Sequence, residues 1–336
     1  MSKENIELVD ARGGWTPGKL EYKPLFSWPP KPIELIKWLF NYPDGFIFPW
    51  AVIHFSIALV SYIFFIPSFD KLSTFSPDWI AIIFFRNLII LFIYTSLWHW
   101  FLHIKEGQGD TYRYNLRKLG KGKQWLFGTQ TRENMFFSLF SAVPIQTLYE
   151  SFMLWCFAND YTLFPIKDFF ESPFIIFYCV LLLIFIPILQ HIHFYLIHRL
   201  IHFKPIYDKI HYFHHKNVNV GPWSGLSMHP IEHILYISTI LIHFVIPSHP
   251  IHFVYQGLHT MLGAQKGHSG YERLVVDSKT GKSIPSAGYF HYLHHKYFEC
   301  NYGELTSPLD KWFGSFHDGT KKTHNKIFKK NTVTET

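Results

Sequence analysis

The chain has 336 residues, 48% of them hydrophobic and only 16% charged, which excludes a disordered polymer and leaves room for one large domain or two ordinary ones. Its formal charge of +7 comes from basic residues banded between apolar stretches, a membrane-topology pattern that excludes a nucleic-acid face. Cys156, Cys179 and Cys300 stand too far apart for a disulfide framework or a cysteine-rich zinc motif.

Residues 1–47 lack the basic, apolar, small-residue order of a signal peptide and read as a cytoplasmic N-terminal segment, with the first span as an uncleaved anchor. A crossing needs about 20 mostly apolar residues, and four windows meet this: Phe48 to Ile66, Trp79 to Ile104, Met135 to Phe157, and Ser172 to Gln190. In the second, Arg86 is placed to snorkel; the third is interrupted by Pro144, Gln146 and Glu150. Residues 48–190 are thus expected to form a transmembrane helical bundle. A fifth apolar stretch, His233 to Met261, is broken by Pro247 and Pro250 and predicts a re-entrant or interfacial hairpin. The loop from Lys105 to Glu133 carries seven basic residues, whereas Pro67 to Asp78 and Ala158 to Glu171 carry one each. This asymmetry puts the long loop in the cytoplasm and, with four spans, both termini and everything after His191 on the same side. Lys321 to Thr336, within a basic tail at 320–336, is expected to be frayed.

Histidine is the outlying residue type: 22 in all, of which 17 lie between His191 and His295. An even spread would place about seven there. Side chains on a helix share a face only at spacings of three or four, and three clusters have them. In HIHFYLIHRLIH, His198 and His202 are one turn apart and His191 lies one heptad earlier, so the three fall within about 40°. HYFHH (His211, His214, His215) and HYLHH (His291, His294, His295) share one form and can present nitrogens to one or two ions. Eight imidazoles without nearby thiolates suit a binuclear transition-metal site better than a four-coordinate structural zinc. Packing is the bland alternative, and it is the reading for His54, His99, His103, His243, His249, His252 and His259. For the clusters it fails, because buried imidazoles without a metal or acids among them are unfavourable. Asp208, Glu232, Glu272, Asp277, Glu299, Glu304 and Asp310 are available to orient imidazoles. His268 sits in a glycine-flanked turn that can aim it at a site. His229, just before Pro230, is equally a helix cap or an outer ligand, and His233 reads as a supporting residue.

At HRLIH, HYFHH, HSGYE and HYLHHKYFECNYG followed by PLDKWFGSFHDG, the sequence resembles the fatty acid hydroxylase superfamily, or sterol desaturase family, over roughly 190 to 319. The resemblance implies an all-α membrane protein: about four transmembrane helices and a cytoplasmic helical cap, here 191–319, holding a histidine-rich dimetal site. It implies two iron ions held by His198, His202, His211, His214, His215, His268, His291, His294 and His295, with His191, His229, His233 and Glu272 as further candidates. Members often carry an Asp where this chain has His191, which leaves open whether a ligand is added or a supporting acid exchanged. Zinc is redox-innocent and cannot supply the electrons that O2 chemistry on a methylene needs, though it can substitute in purified protein.

The implied activity is O2-dependent desaturation or hydroxylation of a membrane lipid, with electrons from a separate b-type cytochrome and its reductase, since residues 1–47 contain no histidine to hold a haem. The SGYE and HPIE elements look like those of the sterol-acting branch, so a sterol C-5 desaturase-like activity leads, ahead of 4-methylsterol oxidation and fatty acyl or sphingoid hydroxylation. Endoplasmic reticulum is the expected membrane in a eukaryote. From a different class, a metal transporter or a bis-histidine haem protein would also be histidine-rich. Transporters place ligands at mid-bilayer and haem proteins pair one histidine from each of two spans, whereas these clusters follow the fourth apolar window.

Overall fold

The computed structural model describes residues 10 and 13–328. Lys3, Arg12 and residues 329–336 of the tail lie outside the described residues. The first half of the tail, expected to be frayed, is a helix at Lys321–Phe328 whose His324 ring lies 4.7 Å from that of Tyr297.

Helix α1 (Pro32–Phe40) opens on a first-turn proline. Trp38 is buried and its ring lies 4.7 Å from Phe46, while Ile33, Ile36 and Phe40 point outward. Helix α2 (Val52–Phe65) follows a wide turn at Ile47–Ala51. Helix α3 (Pro77–His99) runs on through a second wide turn to Ile104. Helix α4 is a bent rod made of Gln130–Phe137, Ser138–Ala142 and Val143–Ala158, capped by Thr129, whose hydroxyl accepts from the Arg132 N–H at 3.3 Å. Helix α5 (Pro173–Ile201) is the longest. Helices α6 (Pro230–Ile237) and α7 (Pro250–Gly267) form a hairpin, α6 tightening into a 3₁₀ turn at Ser238–Phe244. A two-stranded sheet, β1 (Arg273–Asp277) and β2 (Lys282–Pro285), precedes α8 (Tyr289–Tyr297).

Three helical runs are long and apolar enough to cross a membrane: Ile47–Phe65, Pro77–Ile104 and Pro173–Ile201. At 1.5 Å per residue they reach about 28, 42 and 43 Å against roughly 30 Å of hydrocarbon. The fourth expected span, Met135 to Phe157, is helical within α4, but Gln146, Thr147, Glu150 and Ser151 keep its hydropathy below that of the other three. These polar residues face inward. Arg86 does not snorkel as expected: it is buried beside Glu150 in an ion pair, with side-chain exposures of 1% and 0%, and donates to Asn87 Oδ1 at 2.9 Å. A charge in the middle of an apolar helix is tolerated when its counter-charge comes from the neighbour, and α4 supplies it.

The hairpin break falls where Pro247 and Pro250 predict it. There His249 caps α7 and its backbone N–H donates to His252 Nδ1 at 2.9 Å, and His243 bonds both Ser248 and Gln256 at 2.7 Å. Those histidines are satisfied packing residues. Helix α7 is buried over most of its length, with Phe253, Val254 and Leu258 meeting Ala58 of α2, Ile83 of α3, Leu154 of α4 and Leu182 of α5 in one core. The fold is mostly helical but not all-α. The β hairpin pairs Arg273 with Pro285 and Leu274 with Ile284 across a turn in which Asp277 accepts from the Lys279 N–H at 2.9 Å. Two short β-branched runs around Ser-Lys-Thr-Gly suffice for such a ribbon, and a search for 20-residue apolar windows passes over them. The ribbon is tied to the start of α2: the Trp50 indole donates to the Pro285 carbonyl, and Arg273 pairs with Asp44 at 2.6 Å.

Candidate metal centre

Helix α5 carries the first pair of imidazoles to its end, with His198 in the last turn and His202 as the C-cap. The second box begins in the wide turn Tyr207–His211 and closes as a single helical turn, Tyr212–His215. It is fastened from outside: Lys216 contacts both oxygens of buried Glu133 at 2.7 and 2.9 Å, and Asn217 accepts from Gln130 and Asn134 of α4 at 2.9 and 2.8 Å. The third box is α8. His268 stands at the C-cap of α7, followed by Gly270 at φ +85°, where the Val220 carbonyl would lie 3.0 Å from any Cβ.

All nine expected imidazoles converge, in two groups. His198, His202, His211, His215 and His294 form one; His214, His268, His291 and His295 form the other, and within each the candidate ligand atoms lie within 4.8 Å of one another. Adjacent histidines in each HH pair point about 100° apart, so His214 joins one group and His215 the other, as do His295 and His294. The groups abut, with His215 and His295 rings 5.0 Å apart.

The ring nitrogens facing away from the groups reveal the chemistry. Nδ1 of His198 bonds the Tyr302 carbonyl at 2.6 Å, His294 the Cys300 carbonyl at 2.6 Å, His268 the Ala264 carbonyl at 2.8 Å, and His214 the Ser227 carbonyl at 3.2 Å. A carbonyl only accepts, so these four Nδ1 atoms carry the hydrogen and their Nε2 atoms carry lone pairs. Each group therefore holds two lone pairs fixed in mutual repulsion unless a cation sits among them. Burial, then the charge of neighbouring imidazoles, holds His211, His214, His215, His291, His294 and His295 well below the usual histidine range, and His268 is pushed down to about 4. Protonation does not relieve the repulsion; a metal ion does. Nε2 to Nε2 separations of 3.0–3.2 Å run through both groups. They match ligands at right angles around an ion with metal–nitrogen bonds of about 2.1 Å, and fall short of the roughly 3.4 Å edge of a tetrahedron. The donor set could hold metal ions, five imidazoles in one group and four in the other.

Among the acids, Glu232 bonds His211 Nδ1 at 2.7 Å with its side chain 3% exposed. Asp310 works through the backbone: its carboxylate accepts from the Tyr302 and Gly303 N–H groups at 2.8 Å, fixing the loop whose carbonyls hold His198 and His294. Asn301 in that loop adopts φ +53°, with its side-chain amide donating to the Phe290 and His317 carbonyls at 3.1 and 3.0 Å. No residue pattern distinguishes these orienting carbonyls in advance, because any residue type supplies one.

The remaining candidates lie outside both groups. His191 bonds the Thr306 hydroxyl. His229 is a cap that accepts from the Ile231 N–H at 3.2 Å. His233 uses both ring nitrogens on Ser141 Oγ and the Leu226 carbonyl, at 2.8 and 3.0 Å. Glu272 accepts from the Tyr114 hydroxyl at 2.5 Å and the Tyr289 N–H at 3.1 Å.

A cavity of about 310 Å³ reaches His198, His211, His214, His268 and His291, at the lower end of the range for ligand sites. Phe194, stacked on His198 at 4.8 Å, lines it together with Trp38, Phe46 and Trp50. Three apolar helices suggesting membrane association are joined to two convergent histidine groups that could hold metal ions and that border a cavity of about 310 Å³.

Comparison with known proteins finds one matching family. Residues 180–315 match the fatty acid hydroxylase family. It is 29% identical over 124 residues to a Delta(7)-sterol 5(6)-desaturase of Gibberella zeae, covering 36% of this chain and 37% of that one. It is 28% identical over 123 residues to the Delta(7)-sterol 5(6)-desaturase of Saccharomyces cerevisiae, covering 36% and 32%. To a putative Delta(7)-sterol-C5(6)-desaturase of Arabidopsis thaliana it is 31% identical over 146 residues, covering 41% and 49%. The chain spans less than half the length of each of these relatives. No solved structure matches it.

Proposed function

We propose that this chain is an O2-dependent membrane oxidoreductase that desaturates a sterol at C-5, the relatives' reaction, using two iron ions. The observation that carries the reading is the pair of imidazole groups with fixed inward lone pairs, bordering a cavity. His198, His202, His211, His215 and His294 would hold one ion, and His214, His268, His291 and His295 the other. Bound iron supplies redox chemistry able to activate O2, which zinc in a purified sample would lack. The protein's own groups do the rest. Carbonyls of Tyr302, Cys300, Ser227 and Ala264 keep Nε2 free of hydrogen, Glu232 does so for His211, and Phe194 with Tyr236 and Met228 excludes water beside them.

In this reading 191–319 is the catalytic domain and 48–190 the bundle beneath it, with 1–47 leading into the first span and 320–336 as a basic tail. Helix α4 makes a fourth crossing by turning its polar residues onto Arg86. Both termini and the metal centre then face the cytoplasm, on the endoplasmic reticulum of a eukaryote, with electrons delivered by a separate b-type cytochrome and reductase. A haem between two histidines needs their ring nitrogens about 4 Å apart across a flat slot, and the 3.0–3.2 Å separations within the groups leave none there.

The test is mass spectrometry of sterols from a cell lacking its own sterol C-5 desaturase, with and without this chain. A new 5,6 double bond is the expected result, lost with His214→Ala or His294→Ala while the protein remains in the membrane. Unchanged sterols with new hydroxylated acyl or sphingoid chains would overturn the sterol assignment and leave the metal reading intact.

A further inference from the structure

Helix α1 is joined by residues 41–46 to the first apolar run, Ile47–Phe65. Its orientation is set by its own joint: the Phe46 N–H donates to the Trp38 carbonyl at 2.8 Å, and both rings line the cavity. At 100° per residue, Ile36 and Phe40, two positions either side of Trp38, lie about 160° from it, and Ile33 shares their side. These three are 58%, 56% and 69% exposed. Glu34 and Lys37 fall in the sector between the Trp38 side and the Ile33 side. Around the helix there is thus a flank held on the protein, a strip carrying charges, and a flank of bare hydrocarbon. A helix bathed in water gains nothing from the third sector; a helix lying where protein, water and acyl chains meet needs all three. Trp28 and Tyr42, 89% and 71% exposed, bracket the helix as interfacial aromatics do. Beyond Trp28, the Phe26 ring lies 5.8 Å from that of Trp312, which belongs to the PLDKWFG segment and is itself exposed. An apolar surface this extended marks an interaction site. Chain continuity favours lipid as its occupant, because Val60, Ile63 and Phe64 on the outer side of the adjoining span are equally bare.

We propose that α1 is an interfacial helix, its Ile33, Ile36 and Phe40 side seated among the headgroups and upper acyl chains of the membrane that the apolar helices cross, with Trp312 seated beside it. Lys37 reaches water along its methylene stem, and Lys31 pairs with Glu34 at 3.2 Å, so the charged strip stays hydrated while the flank beside it is immersed. The segment before the first span is then part of the membrane-bound body and not a free cytoplasmic arm. Because Trp38 lines the cavity from the other side of the same helix, the cavity at that point is one helix away from lipid. The inference rests on the spanning reading of the apolar helices and is independent of the metal chemistry.

The test is site-directed spin labelling of the full chain in phosphatidylcholine vesicles, one nitroxide at a time on Ile36→Cys, Phe40→Cys and Trp312→Cys. Glu34→Cys serves as the water reference and Ile93→Cys, half-exposed on α3, as the lipid reference. Cys156, Cys179 and Cys300 are buried, and the unsubstituted chain gives their background. Relaxation of each label is read against O2, which concentrates in acyl chains, and against a water-soluble nickel chelate. The ratio of O2 to nickel accessibility at Ile36, Phe40 and Trp312 is expected to stand several-fold above that at Glu34, toward the value at Ile93. A ratio equal to that of Glu34, with Ile93 still high, would overturn the inference and leave the spanning reading standing. Protection from both reagents, with spin–spin broadening that vanishes on dilution with unlabelled chain, would overturn it in favour of a second copy on this face. A water-like Ile93 would overturn both readings together. Should one substitution prevent insertion, the remaining label sites decide the comparison.

Discussion

Glu232→Ala is the most informative substitution, because among the described residues Glu232 is the one carboxylate that bonds a candidate ligand, and it touches only one group. Its Oε1 holds His211 Nδ1 at 2.7 Å in a site with both side chains nearly sealed. Its loss frees the imidazole to rotate and lowers its basicity, an effect of about ten- to hundredfold on metal affinity, or about 1.4–2.7 kcal/mol. The buried Nδ1–H left without an acceptor costs about a further 1–3 kcal/mol of fold stability. Only the five-histidine group should weaken, since Glu232 bonds none of the four histidines of the other group. The assay is competition of the cobalt- or iron-loaded protein against a graded chelator, with elemental analysis at each step. One ion should leave early and the second at its normal chelator concentration. Glu232→Gln keeps a neutral acceptor and should fall between. Parallel loss of both ions, or unchanged affinity, would refute the partition of nine histidines into five and four.

Removing Arg86 or Glu150 singly, as Arg86→Leu or Glu150→Leu, strands a buried charge and should destabilise by about 3–5 kcal/mol, while the double substitution recovers most of it; thermal unfolding in detergent reads both. His229→Ala should lower stability by about 0.5–2 kcal/mol with two ions still bound, and loss of an ion would restore it to the ligands. For the metal-free protein, a histidine whose folded pKa is depressed stays neutral while the unfolded chain takes a proton. Stability is therefore full above pH 6.5 and falls as pH drops toward 4. His268 alone accounts for about 3 kcal/mol of that loss. Melting temperatures at pH 7.5, 6 and 5 check this, and a flat profile would contradict it.

Much of the centre is legible in the residues, because helical spacing of His198–His202, His211–His214 and His291–His294 needs no tertiary knowledge. What spacing leaves open is which neighbour of each HH pair serves which group, since that follows from how α5, α8 and the turn at Tyr212–His215 cross. The choice of Glu232 over six other acids is likewise tertiary: only α6, packed behind His211, brings a carboxylate within reach. His233 satisfies a carbonyl and a hydroxyl that lie 7 and 92 residues away, so its structural role has no local signal. The three apolar spans are legible from length alone. Arg86 is misread for the same reason that Glu150 looks like an interruption: each is anomalous alone, and the two explain one another only after α3 and α4 are side by side.

That pair also constrains how the molecule is made. Arg86 is the tenth residue of α3, about 14 Å from its start and so near the middle of a bilayer. A nascent α3 leaving the translocation channel alone would carry a naked guanidinium into hydrocarbon, and the neutralising carboxylate emerges 64 residues later. At roughly 5–20 residues per second, synthesis separates the two by about 3–13 s. If α4 makes the fourth crossing, as proposed, α3 would gain from waiting at the channel or in the interfacial layer until α4 arrives, so that the two enter lipid as one unit. A stop codon, pause site or epitope tag placed between them would act on membrane integration itself, long before any histidine is in place.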